Sequence, residues 1–315
     1  MPYYPPRYDP KPETQNPEKQ KRRGRAVRWT ILLLSAALVI YGGVRLGIYL
    51  SELKAVQKTT EEFRAYAAEP PANTEAAPQE RKAETTSAPA APQAEAAPLR
   101  TEKLPAVEYP NGYALVPRIQ KLREKGKYII GWITLDELDE PVVYRDNTYF
   151  LTHDASGNHN KNGAIFMDEG TSLLTRPYTI LLYGHNMKSG AMFGNLRKYE
   201  DFSYYFKHRT FQFDTLYEEG KYIIFSVANV CLTPGTSHFV SLSGLQSSER
   251  EVRKKALDDL VRIRRYDTLT DVNEEDQILL LITCVGDDDE RLIVAARRLR
   301  EGEKEEQLLS SQMQP

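Results

Sequence analysis

The feature that most constrains this chain is an apolar run close to its N-terminus. Trp29-Thr-Ile-Leu-Leu-Leu-Ser-Ala-Ala-Leu-Val-Ile-Tyr-Gly-Gly-Val44 carries no charge, and beyond Arg45 the apolar character resumes to Leu50. As a helix, Trp29 to Leu50 is roughly 33 Å long, enough to cross a bilayer. Arg45 lies five residues from the outer end and can snorkel to the headgroups. A cleaved signal peptide would have a shorter core and a small-residue cleavage site after it; Ser35-Ala36-Ala37 falls in the middle of the run. A signal anchor fits better. Residues 1–28 hold eight Lys and Arg against three acids, whereas residues 51–110 hold seven bases and ten acids. That asymmetry predicts a cytosolic basic tail (1–28), a single transmembrane helix (29–50) and everything after it outside the cell.

Ser51 to Ala68 can continue as a polar helix. Glu69 to Pro105 then has seven Pro, ten Ala and no aromatic residue. It reads as a linker that cannot bury enough surface to fold, so 51–112 is expected to be polar helix and linker. Residues 113–300 read as one globular domain and 301–315 as a disordered polar tail. Within the domain, Leu115, Val116, Ile119 and Leu122 recur at helical spacing up to Gly126. The period then shortens. Tyr128–Ile133, Pro141–Tyr144, Ala164–Met167, Tyr178–Tyr183, Thr210–Phe213, Lys221–Ala228, His238–Leu242, Gln277–Thr283 and Arg291–Ala296 read as strands. One helix interrupts them: Ser248 and Glu251 have capping-box spacing, and Val252, Ala256, Leu257, Leu260 and Val261 make an apolar stripe. Many short strands with few helices suggest a mainly β barrel or sandwich.

Composition narrows the chemistry. A formal charge of −2 argues against a nucleic-acid binder. Two cysteines exclude a disulfide scaffold and a four-thiolate zinc site, and no phosphate-cradling Gly-rich loop of the Walker or dinucleotide type is present. Cys284 ends the apolar strand Ile278-Leu-Leu-Leu-Ile-Thr-Cys284, just before the polar Val285-Gly-Asp-Asp-Asp-Glu290, and Arg291 opens the next strand. A rim thiol beside a guanidinium suits nucleophilic catalysis, because the reactive thiolate is stabilised by a nearby cation. Most cysteines at strand ends are simply buried; Cys231, with no base until Arg250, is assigned to core or a strand end. His185 ends another strand, Thr179-Ile-Leu-Leu-Tyr-Gly-His185, and can exchange protons near neutral pH. His153, His159, His208 and His238 read as surface residues. No His pair has metal-ligand spacing on one helix, so no metal and no cofactor are expected.

With these residues in hand the chain resembles the sortases, Gram-positive cell-surface cysteine transpeptidases. The match is carried by Gly184-His185-Asn186-Met187, Leu281-Ile-Thr283-Cys284 and Arg291. The stretches His185–Tyr199, Gly163–Asp168 and Ile130-Gly-Trp-Ile133, and the helix Ser248–Arg264, are similar to class B members. The resemblance covers roughly residues 113–300. It implies a closed eight-stranded β-barrel with an N-terminal helix and one helix before the penultimate strand. It also implies a nucleophile (Cys284), a general acid and base (His185) and an oxyanion- or substrate-stabilising Arg291, with Thr283, Ile282, Asn186 and Met187 lining the substrate site. The implied reaction cleaves a C-terminal sorting signal after Thr through a thioester. The protein is then passed to an amine of the cell-wall precursor or of a pilin. Asn186 and Asp287 to Asp289 are candidates to orient His185. Leu280 and Ile282 depart from the small or hydroxyl residues common in the family motif. Hydrolysis of the same thioester is the alternative activity, and a catalytically silent surface module the other.

Overall fold

The computed structural model describes residues 17–68, 112–284 and 289–311. The expected linker 69–105, the first part of the basic tail, Asp287, Asp288 and the last four residues lie outside them. The chain divides into two compact units, Met1–Lys54 and Ala55–Pro315. Helix α1 (Pro17–Ala68) contributes to both.

In the first unit, Trp29, Leu34, Leu38, Val39 and Ile40 are all more than half exposed, so apolar side chains point outward around the helix. Uniformly apolar surface is the signature of a segment meant for a nonpolar solvent. Among the described residues this is the one helix long and apolar enough to cross a membrane.

The second unit is a closed barrel. Its strands are β1 (Ile129–Leu135), β2 (Leu138–Tyr144), β3 (Ile165–Met167), β4 (Thr179–Tyr183), β5 (Thr210–Thr215), β6 (Lys221–Cys231), β7 (Ile278–Cys284) and β8 (Glu290–Arg298). Their order around the barrel is β1-β2-β3-β4-β7-β8-β6-β5, with β2–β3 and β4–β7 parallel. Strand β7 is central and almost wholly buried, which explains its unbroken apolar sequence. Its alternate residues serve two clusters. Leu279 and Leu281 join the larger one, with Ile180, Leu182, Leu292 and Val294. Ile278, Leu280 and Ile282 join a second, outer cluster with Leu181, Ile293 and Ala295, covered by Ala256, Leu257 and Leu260 of α5 (Arg250–Arg262).

The end of α1 is more apolar in use than in composition. Val56, Thr60 and Phe63 are buried in the unit they share with the barrel, and Ala67 packs beside them, a stripe at helical spacing. Thr60 donates to Glu140 of β2 (2.6 Å) and Arg64 pairs with Asp139 (2.6 Å). Gly126, ending α2 (Pro117–Lys125), leaves room for Phe63: a Cβ there would stand 3.0 Å from the Phe63 ring and 2.7 Å from Ile129.

Several expectations are corrected. His238–Leu242 is no strand. It makes a single bridge, Cys231 to Phe239, and then the short α4 (Leu242–Leu245), whose first turn Ser241 caps by accepting from the Gly244 amide. The predicted capping box at Ser248 does not form. Helix α5 starts later, without a side-chain cap, and its approach is held by Arg253, which donates to the carbonyls of Ser247 and Ser248. The segment after His185 forms a 3-10 turn over Gly194–Glu200 and then α3 (Phe202–Lys207), capped by Asp201, where the residue pattern predicts no helix. Finally, part of the expected tail is held. Helix α6 spans Glu305–Ser311, Glu303 pairs with Arg297, and Glu305 pairs with Lys221 and Thr210.

Candidate active site

Three neighbouring strands end in the three residues with chemistry. In the β7–β8 ladder Cys284 is the direct partner of Arg291. In the parallel β4–β7 ladder Leu181 faces Leu280 and Tyr183 faces Ile282, so the same step places His185 level with Cys284. The ladder continues past the strand: the Gly184 amide donates to the Ile282 carbonyl at 3.2 Å. Strand alternation fixes the side. Leu181, Leu280, Ile282, Ile293 and Ala295 all belong to the outer cluster. His185, Cys284 and Arg291 continue those same rows, so they emerge on one face, just past its edge. The burial changes at that point: Ile282 is 1% exposed, while Cys284 is exposed.

Each member is held by backbone. His185 Nε2 lies 2.8 Å from the carbonyl oxygen of Leu151. A carbonyl only accepts, so Nε2 carries the hydrogen and Nδ1 is left to exchange protons. Gly163 makes room for that ring. It sits at φ +64°, and a Cβ there would stand 3.1 Å from the imidazole and 2.3 Å from the Phe150 carbonyl. The Asn186 side chain donates to the Cys284 carbonyl at 2.8 Å, tying the two strand ends together. Arg291 donates to the Glu290 carbonyl at 2.9 Å.

The residues expected to line the substrate site divide. Asn186 stands at the rim but spends its amide on Cys284. Met187 turns inward against the larger cluster. Thr283 and Ile282 are corrected. Thr283 is 2% exposed, on the face opposite Cys284, and its hydroxyl donates to the Gly184 carbonyl at 2.8 Å. Ile282 lies under the outer cluster. Neither offers surface to a substrate; both are packed into the strand beneath Cys284. The proposed His185 orienters fare similarly: Asp289 accepts from Thr233 (2.7 Å), and Asn186 bonds Cys284. The orienting group is the Leu151 carbonyl, which no side-chain pattern signals.

Tyr183 is a further member of the face. Its hydroxyl is 3.4 Å from Asp168, and burial, reinforced by that carboxylate, pushes its ionisation well above the usual range. Cys231 is buried at the end of β6, where the Thr233 amide donates to its sulfur at 3.4 Å. Among the described residues no three His, Cys, Asp or Glu side chains converge as a metal-ligand group.

The molecule is thus a closed eight-stranded barrel with a cysteine, a histidine and an arginine level on one rim. The Sortase domain family model matches residues 139–299, and the chain belongs to the sortase family. Its relatives are class B. It is 33% identical to sortase B of Listeria monocytogenes over 112 residues, 35% of this chain and 46% of that protein. The sortase B structure from B. anthracis in complex with AAEK2 is 30% identical, covering 62% of this chain and 89% of that one (TM-score 0.54). A Staphylococcus aureus sortase B–substrate complex is 26% identical, covering 60% and 87% (TM-score 0.52). The chain spans about half the length of the curated relatives it matches.

Proposed function

We propose that this chain is a membrane-anchored cysteine transpeptidase acting on secreted proteins that carry a C-terminal sorting signal. The observation that carries the reading is the row His185, Cys284, Arg291 on adjacent strands of one face. The Cys284 thiolate attacks the carbonyl carbon of the signal's Thr. Arg291 donates hydrogen bonds to the oxyanion or the substrate backbone, stabilising charge where it develops. As the C–N bond breaks, His185 gives its proton to the departing amine, leaving a thioester on Cys284. An acceptor amine then attacks, the C–S bond breaks, and His185 takes the amine's proton. The acceptor is a cell-wall precursor or a pilin.

The outer location follows from the basic head and the single apolar helix. With residues 1–28 cytosolic and the barrel outside, enzyme and membrane-held substrates share a thin layer. That confinement raises effective concentration, so modest recognition of a short signal suffices.

The test uses the full chain in detergent micelles with a fluorogenic library of sorting-signal peptides, with and without amine acceptors, and mass spectrometry of products. A product joined to the amine, absent in Cys284→Ala, is expected. Cleavage with no transfer at any acceptor would replace the reading with hydrolysis. No product and no thioester mass on Cys284 would overturn it.

A further inference from the structure

The segment between Leu151 and β3 folds back on itself and brings two histidines together. His153 and His159 form an isolated antiparallel bridge. The flanking bonds run from the Asn160 amide to the Thr152 carbonyl (2.8 Å) and from the Asp154 amide to the Asn158 carbonyl (2.9 Å). The two histidines are therefore a non-hydrogen-bonded pair, the kind whose side chains lie closest, with Cα atoms about 4.5 Å apart. Their ring centroids are 5.6 Å apart, at 73°.

Three features favour this pair as a ligand pair over a chance contact. First, His153 Nδ1 is 2.8 Å from the Tyr149 carbonyl and 3.3 Å from the Thr152 hydroxyl. Donation to the carbonyl puts the hydrogen on Nδ1 and leaves Nε2 with its lone pair, the usual outer-shell support of a metal-bound imidazole. Second, the His153 ring stacks on Tyr149 at 3.9 Å and 7°, which fixes its orientation. Third, the turn joining the two is rigid. Asp154 is buried and accepts from the Ser156 and Asn158 amides at 3.0 Å each, and Gly157 adopts φ +88°. The ring separation is compatible with ligation of one ion. With metal–nitrogen distances of about 2.0–2.1 Å, two imidazoles at a tetrahedral angle hold their centroids about 5.2 Å apart. His159 is exposed, so its ring has room to turn toward a shared ion.

We propose that His153 and His159 form a two-histidine site for a borderline divalent transition-metal ion of the Zn2+ class. Imidazole pairs suit Zn2+, Cu2+ and Ni2+, while Ca2+ and Mg2+ demand oxygen ligands. The nearby acids are otherwise engaged: Asp146 pairs with Arg145 and caps Thr148 and Tyr149, and Asp154 holds the turn. Water or a group from another molecule completes the coordination. The site lies two residues from Leu151, whose carbonyl holds His185.

The experiment uses the untagged full chain in detergent micelles, in a Cys284→Ala background so that the active-site thiol cannot ligate. Zn2+ is titrated in competition with a metallochromic indicator. One equivalent is expected to bind. His159→Gln and His153→Gln should each weaken binding at least about tenfold, since loss of an outer-shell partner alone costs 10–100-fold. Zn2+ should also raise the thermal midpoint of the parent and not of His159→Gln, because a ligand that binds only the native state stabilises it. His159→Gln leaves the Tyr149 contacts of His153 in place, so the comparison does not depend on refolding the loop. No binding to the parent, undiminished binding to either variant, or displacement by equimolar Mg2+ or Ca2+ would each overturn the proposal.

Discussion

Strand β8 carries an arginine near each end, on the same face, and the two meet opposite surroundings. Arg291 pairs in register with Cys284, is half-buried and donates to a neighbouring carbonyl at the open rim. Arg297 pairs in register with Ile278, and its side chain is fully enclosed. Its guanidinium is filled by the Asp271 carbonyl (2.7 Å), the Asp271 carboxylate (3.0 Å) and both oxygens of Glu303 (2.7 and 3.0 Å). Arg300 joins through Asp271 and Asp276. Burial opposes the ionisation of Asp271 and Glu303, but the guanidiniums overcome it and hold both carboxyls below the usual range. At one end of the strand, then, the arginine's bonds are consumed in closing the barrel. At the other the backbone does the closing, and a thiol, an imidazole and a guanidinium are left at the surface. The same residue type is structural where it is enclosed by carboxylates, and under the proposed function it is chemical where it pairs in register with the thiol.

The comparison can be broken most sharply by deleting each arginine. Arg297→Ala should cost roughly 2–5 kcal/mol of stability, because it empties the enclosed space the side chain fills and deletes its charged hydrogen bonds to Asp271 and Glu303; denaturant unfolding measures this. Its turnover per folded molecule, read at low temperature, should stay near the parent's. Arg291→Ala should do the reverse, lowering kcat/KM about 10²–10³-fold, the cost of one oxyanion-type donor. Its unfolding midpoint should stay within about 0.5 kcal/mol of the parent, as for surface substitutions generally. Equal effects of the two variants on activity would erase the distinction.

Glu140 tests what happens when a buried charge lacks such a cage. Burial pushes its carboxyl up to about 7, against the pull of the Thr60 hydroxyl and Arg64. A carboxyl raised on folding stabilises most below its unfolded value, and that stability is lost as pH rises from about 4.5 through about 7. The chain should therefore lose stability over that window, by about 2 kcal/mol after allowing for partial solvent contact. Glu140→Gln should remove most of this loss, seen as a smaller gap between denaturation midpoints at pH 5 and pH 8. The smallest effect is expected at Thr283→Val. It deletes the bond to the Gly184 carbonyl and should cost about 1 kcal/mol, with a modest fall in kcat as His185 and Cys284 lose their common height. A rise in KM alone would instead return Thr283 to the substrate wall.

Much of this was legible because it lies in residue types at short spacing. The strands around the barrel announce themselves by Ile, Val, Tyr and Phe between turn residues, and all eight lie within three residues of the expected ends. The false strand at His238–Leu242 has the right composition but no partner beyond one bridge, and a Ser cap turned its end into a helix. The stripe Val56, Thr60, Phe63, Ala67 went unread because a Thr and an Ala sit among charged neighbours and only the barrel makes their face an inside. Cys284, His185 and Arg291 could be picked out as strand-end residues of suggestive chemistry. The Leu151 carbonyl could not, because every residue has one.

The sequence by itself determined an apolar segment long enough to span a bilayer, a β-rich domain and the three strand-end side chains proposed as reactive, since hydropathy, β-propensity and chemical type are local properties. Only the tertiary structure decided that those three stand level on adjacent strands of one face. It alone decided that Thr283 and Ile282 are buried supports, that a backbone carbonyl sets the tautomer of His185, and that His153 meets His159. Each of those depends on register between segments distant in the chain, and a shift of one residue would have turned every side chain to the other face.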